Sequence, residues 1–153
     1  MRTLELRIPP AAIALAAAVL MWIAARALPS LTFPIPARGT LGLAFVLAGL
    51  LIAAAGVFEF HRARTTVNPL KPNAASTLVV NGVYRLTRNP MYLGFAFMLL
   101  GLAIVLSNLP APLAVPAYVA YMNRFQILPE ERALRALFGA EFEAYAAGVR
   151  RWL

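Results

Sequence analysis

The apolar positions of this chain fall in long continuous runs, without the period-two alternation of half-buried strands. Four runs stand out, at 9–28, 39–58, 90–106 and 110–128. Each is near the roughly 20 residues a helix needs to cross a bilayer, and continuous runs predict helices rather than barrel strands. Within the second run Gly42, Gly49 and Gly56 recur every seven residues, which places small residues on one helical face for close packing in lipid. Gly94 and Gly101 do the same in the third. The character changes at Glu59. The loop from Arg62 to Arg88 carries the turn signals Asn68-Pro69, Lys71-Pro72 and Asn81-Gly82 around a short apolar patch, Leu78-Val79-Val80. After the fourth run, Pro129-Glu130-Glu131 reads as a helix start and Gly139 as its stop. A last helix then places Phe142, Tyr145, Ala146, Val149 and Trp152 on one stripe, beside Arg150 and Arg151, as in a helix lying on a bilayer or closing a pocket.

The predicted fold is all-α and integral to the membrane, with about four transmembrane helices followed by cytoplasmic or interfacial amphipathic helices. One domain spans 1–153. Residues 1–58 form a two-helix scaffold with almost no polar side chains, and 59–153 hold the functional part. Composition agrees: 61% of the 153 residues are hydrophobic and 13% charged, with a mean hydropathy of +0.73, which is too apolar for a soluble domain. The first run follows Arg2 and Arg7 and so resembles a signal peptide, but its length and the further runs favour a retained span.

Charge sets the orientation. Arg2 and Arg7 precede the first run; His61, Arg62, Arg64, Lys71, Arg85 and Arg88 lie between the second and third; Arg124, Arg132, Arg135, Arg150 and Arg151 come late. Only Arg26 and Arg38 fall near the other side. The positive-inside rule therefore puts both termini and the middle loop in the cytoplasm, and the expected location is a prokaryotic cytoplasmic membrane. The net charge of +8 is accounted for by this asymmetry and by attraction to anionic headgroups. No nucleic-acid-binding module is legible, so no nucleic-acid partner is expected.

The chain has no cysteine, no aspartate and a single histidine, His61. Disulfides, thiolate nucleophiles, a Ser-His-Asp triad and a metal site are all unexpected.

The densest chemistry lies at 82–94, Gly-Val-Tyr-Arg-Leu-Thr-Arg-Asn-Pro-Met-Tyr-Leu-Gly. Asn89 is a good N-cap and Pro90 suits the first helical position, so the third helix should begin here. Its free N–H groups, with Arg85 and Arg88 beside them, would suit an anion. The plainer reading is a helix start anchored to headgroups by arginines. Tyr84 and Tyr92 add aromatic surface, although tyrosines also populate membrane interfaces for structural reasons. Glu130 and Glu131 either compensate the dipole of their helix or hold a cationic ligand group.

These residues, with Phe138-Gly139-Ala140-Glu141-Phe142-Glu143-Ala144-Tyr145, resemble the isoprenylcysteine carboxyl methyltransferase family, which is related to the membrane phospholipid methyltransferases. The resemblance runs from about Glu59 to Trp152 and keeps order and spacing. It implies S-adenosylmethionine bound at the cytoplasmic membrane face, and a methyl group passed to a small lipophilic acceptor that enters from the bilayer. The cofactor contacts it implies are Ser76, Thr77, Leu78, Val79, Tyr84, Asn89, Pro90, Met91, Tyr92 and Glu130, with Arg88 joined to them at the anion-binding helix start. No catalytic residue is assigned.

Two positions depart from the family pattern. Asn89 stands where the prenylcysteine enzymes have histidine, and Gln126 where they have a substrate-binding arginine; Arg124 is nearby on another helical face. Gln126 and Arg124 are the substrate-binding candidates, and the acceptor is a lipophilic carboxylate, amine or thiol. Two alternatives remain, a phospholipid amine methyltransferase and a non-catalytic lipid-binding protein of the same fold. A transporter would carry ionisable groups at the bilayer centre, and these runs offer essentially none.

Overall fold

A computed structural model of the chain describes residues 5–64 and 76–153. Arg2 and the expected turns at Asn68-Pro69 and Lys71-Pro72 lie outside the described residues. Within them the architecture is all-helical: α1 (Pro10–Ala27), α2 (Arg38–Arg62), α3 (Pro90–Leu106), α4 (Ala114–Met122), α5 (Leu128–Phe138) and α6 (Ala140–Gly148).

Two of these helices, α1 and α2, are long and apolar enough to cross a membrane. Only 11% and 17% of their apolar windows are buried inside the molecule, so Leu15, Leu20, Leu47 and Leu51 face outward. Such faces suit hydrocarbon rather than water. Helix α3 is apolar and 17 residues long. Pro90 at its first position fixes a helical φ where no N–H is needed, and Ser107 ends it in a left-handed conformation.

The α2–α3 interface is made of glycine. Gly49 lies against the Gly94 carbonyl, Gly42 against that of Gly101, and Gly56 against Pro90 and Met91. A methyl added at Gly42 would sit 2.8 Å from the Gly101 oxygen, so the absence of side chains is what lets the backbones approach. Helix α1 closes the other side, where Met21 joins Tyr92, Leu99, Tyr118, Met122 and Ile127 in the core. At the end of α3 remote from Asn89, the α1–α2 and α3–α4 connections are tied together. Phe33 N–H bonds Ser107 O at 2.9 Å, Leu109 N–H bonds Leu31 O at 3.0 Å, and buried Asn108 donates to Leu28 O.

Pro129 does not open a separate helix as expected. The helical path continues from α4 into α5 through a π-helical segment, Asn123–Ile127. Proline lacks an N–H and its ring crowds the carbonyl four residues back, and a widened turn accommodates both defects. That carbonyl belongs to Phe125, and Leu6 N–H fills it instead at 3.1 Å. Gly139, with φ +49°, separates α5 from α6. Helix α6 stops at Gly148, and Val149 is extended. The expected stripe through Trp152 is therefore cut short, because the last residues leave the helix to meet Thr87–Asn89.

Candidate functional site

Three clusters meet where α3 begins. In the first, Tyr92 on the first turn of α3 donates its hydroxyl to Glu130 Oε1 at 2.5 Å. Gln126 Nε2 donates to the same oxygen at 2.6 Å. Gln126 and Glu130 are four residues apart, across the junction of the π-helical segment with α5, and thus share a face. Burial drives the Glu130 carboxyl up to about 7, helped by the charge of Glu131 and opposed by these two hydrogen bonds. Carboxyls are ordinarily near 4.3.

The second cluster holds Glu131, which points elsewhere because adjacent helical residues diverge by about 100°. Arg88 Nη2 donates to its Oε1 at 2.9 Å, and Arg151 donates through Nε at 2.8 Å and Nη2 at 2.7 Å. Burial alone would raise the Glu131 carboxyl, but the bonds and charges of Arg151 and Arg88 outweigh it and hold the group below the ordinary range. Arg88 Nη1 donates to Ala146 O and Val149 O at 2.6 and 2.7 Å. Arg88 N–H, Thr87 Oγ1 and Asn89 Nδ2 bind the carbonyls of Arg150, Arg151 and Arg151 in turn. The C-terminal residues are thus strapped to the segment that starts α3.

Tyr84 centres the third. It is buried in the 3₁₀ turn Gly82–Arg85, edge-on to Phe60, and its carbonyl accepts the Tyr145 hydroxyl at 2.7 Å. Burial pushes its phenol up, as do Tyr145, Glu130 and Glu59. Gly82 has φ +56° and lies against the Glu59 carboxylate, where a side chain would collide.

The structure thus brings Tyr92, Gln126 and Glu130 together, with Tyr84 in their electrostatic reach. Leu78 and Val79 are buried, whereas Ser76 and Thr77 are exposed in a bend. Pro90 and Met91 turn toward Gly56 of α2. Asn89 occupies the N-cap position, but its side chain makes no cap bond and holds the C-terminal strap instead. Arg88 is engaged by the strap and Glu131. Arg124 lies on the outer face and pairs with Glu5 at 3.1 Å, away from Gln126. Thr87 and Arg151 were missed by sequence reasoning. Their partners are backbone carbonyls and a carboxylate in distant segments, which leave no mark on local sequence. Among the described residues no group of three or more acidic or histidine side chains could hold a metal ion.

The profile of the phospholipid methyltransferase family matches residues 37–141, which takes in α2 through α5 and Glu130. The chain belongs to this family. Its relatives include a probable protein-S-isoprenylcysteine O-methyltransferase of Oryza sativa subsp. indica, 36% identical over 73% of this chain and 59% of the relative. Protein-S-isoprenylcysteine O-methyltransferase A of Arabidopsis thaliana is 32% identical over 71% of this chain and 55% of its own length. The Schizosaccharomyces pombe protein-S-isoprenylcysteine O-methyltransferase is 26% identical over 72% and 47%. The chain therefore spans about half to three-fifths of the length of these family members. No solved structure matches it.

Proposed function

We propose that this protein is an integral membrane methyltransferase that uses S-adenosylmethionine and acts on a small lipophilic acceptor reached from the bilayer. The observation that carries this reading is the junction of Tyr92 and Gln126 on Glu130, which joins both halves of the family's sequence pattern around one buried carboxylate. The residues present fit the cofactor. Glu130 suits its ammonium; the start of α3, not capped by the Asn89 side chain, suits its carboxylate; Leu78, Val79 and Tyr84 provide apolar and aromatic surface for adenosine. Ser76, Thr77, Pro90, Met91 and Tyr92 complete the proposed contact set.

When bound, S-adenosylmethionine supplies a methyl group already activated on a sulfonium. The protein's contribution is then to hold donor and acceptor in line and exclude water, worth up to roughly 7–11 kcal/mol. A carboxylate acceptor needs no base. An amine acceptor must lose a proton at some stage, for which Glu130, Glu131, a tyrosine or water are the candidates. Gln126 beside Glu130 is the proposed acceptor contact. Arg124, paired outward with Glu5, is the weaker candidate.

In this reading α1, α2, α3 and the helix beginning at α4 all cross, with the site and both ends in the cytoplasm. Residues 1–58 serve as scaffold, and 59–153 form the catalytic core. The family's own description, phospholipid methyltransferase, supports a phospholipid as a second acceptor class, and a phospholipid amine is the form proposed. Purified protein, labelled cofactor and a total membrane lipid extract test both: labelled lipophilic product is expected, with phosphatidylethanolamine and a prenylcysteine supplied separately to distinguish acceptors. No labelled product from any arm overturns the proposal.

A further inference from the structure

Glu130 and Glu131 are adjacent carboxylates with opposite surroundings, and the second is neutralised by arginines that the proposed chemistry does not use. We propose that Arg88, Glu131 and Arg151 form a positioning unit, which clamps the first turn of α5 to the C-terminal strap and offsets part of the Glu131 charge so that Glu130 can ionise toward a cationic ligand. The inference rests on the assignment of Glu130 to the cofactor ammonium.

The geometry has two parts. Mechanically, the Arg88 guanidinium ties Glu131 to Ala146 O and Val149 O, while Arg151 grips both Glu131 oxygens from the strap. Rotation of the first α5 turn would break the three bonds to Glu131 together, so the face that directs Glu130 to Tyr92 is fixed by what its neighbour holds. Electrostatically, two adjacent uncompensated carboxylates resist ionising together. Around Glu130 the titratable groups are Tyr92 from α3, Tyr84 from the 3₁₀ turn and Glu131 from its own helix. No arginine donates to Glu130 itself among the described residues; Arg88 and Arg151 are bonded to its neighbour instead.

Arg151 is the accessible handle: its side chain is 40% exposed, and Arg88 still pairs Glu131 without it. The experiment measures S-adenosylmethionine affinity against pH for wild type, Arg151→Gln, Arg151→Lys and Glu131→Gln. Wild-type affinity rises with pH through a midpoint near 7, until the ligand's own α-amino group begins to lose its proton. Arg151→Gln raises that midpoint by about half to one pH unit, with affinity falling several-fold at pH 6.5 and unchanged at pH 8.5. Glu131→Gln lowers the midpoint, because the like charge itself is gone. Arg151→Lys stays near wild type. A merely structural ion pair predicts the same loss at every pH from both glutamine variants, and that result, or midpoints that do not move, overturns the inference. If Glu131→Gln fails to fold, the contrast between Arg151→Gln and Arg151→Lys decides. Glu130→Gln tests the underlying assignment separately: if it keeps the wild-type pH profile, the assignment of Glu130 to the ammonium is at fault.

Discussion

Glu130 is a carboxyl raised toward neutrality by burial against the pull of two hydrogen-bond donors, while its neighbour is held ionised by arginines. If Glu130 receives the cofactor ammonium, Glu130→Gln weakens S-adenosylmethionine binding by about ten- to a hundredfold; titration calorimetry reads this, and a change below twofold withdraws Glu130 from the site. Without ligand the sign for stability follows from a raised folded-state value. The protonated form is favoured by folding, so its contribution is full below the ordinary carboxyl range and is lost as pH rises through about 7. Thermal stability should thus fall between about pH 5 and 8, and Glu130→Gln should flatten that slope. The acidic pair at the start of α5 was legible from sequence, as was the interest of Tyr92. Which glutamate meets Tyr92 was not derivable locally, since the two lie 38 residues apart and only packing brings them together.

Helices α2 and α3 meet through glycines, and the seven-residue spacing of Gly42, Gly49 and Gly56 announced that seam in advance. Because a methyl at Gly49 would run into the Gly94 carbonyl, Gly49→Ala should destabilise the protein by about 1–3 kcal/mol. Gly39 has nothing within 4 Å of its missing Cβ, so Gly39→Ala should be neutral or gain up to about 0.5–1 kcal/mol from helix propensity. Denaturation in mixed detergent micelles separates the two, and equal effects would mean the seam is not tightly packed. The start of α3 at Pro90 and its end at Leu106 were also readable, because proline at a helix start has a local cause. The π-helical bridge before Pro129 was not. A Pro-Glu-Glu sequence looks the same whether it opens a helix or sits in one whose lost hydrogen bond is answered by Leu6, more than a hundred residues away.

The proposed arrangement puts reporter fusions after Leu31 and Ser107 outside the cytoplasm, and a fusion after Ala75 within it. An external signal at Ala75 would overturn it. Charge asymmetry in the sequence is what this expected orientation rests on, whereas the mutual docking of distant segments was not legible, since no periodicity encodes it. That docking bears on the count of crossings. Leu6 bonds Phe125 and Trp152 bonds Asn123, so segments near both ends of the sequence rest on one short stretch of helix. Two groups in hydrogen-bond contact share one side of a bilayer. The path from Leu6 to Phe125 must therefore cross an even number of times. If α1 and α2, which are long and apolar enough to do so, supply two crossings, α3 and α4 are left to cross as a pair or not at all. At 17 residues α3 rises only about 25 Å, short of a hydrocarbon layer of about 30 Å, and considered alone it invites a three-span topology. In the proposed arrangement parity argues against that topology, because three crossings would set Leu6 and Phe125 toward opposite faces of the membrane.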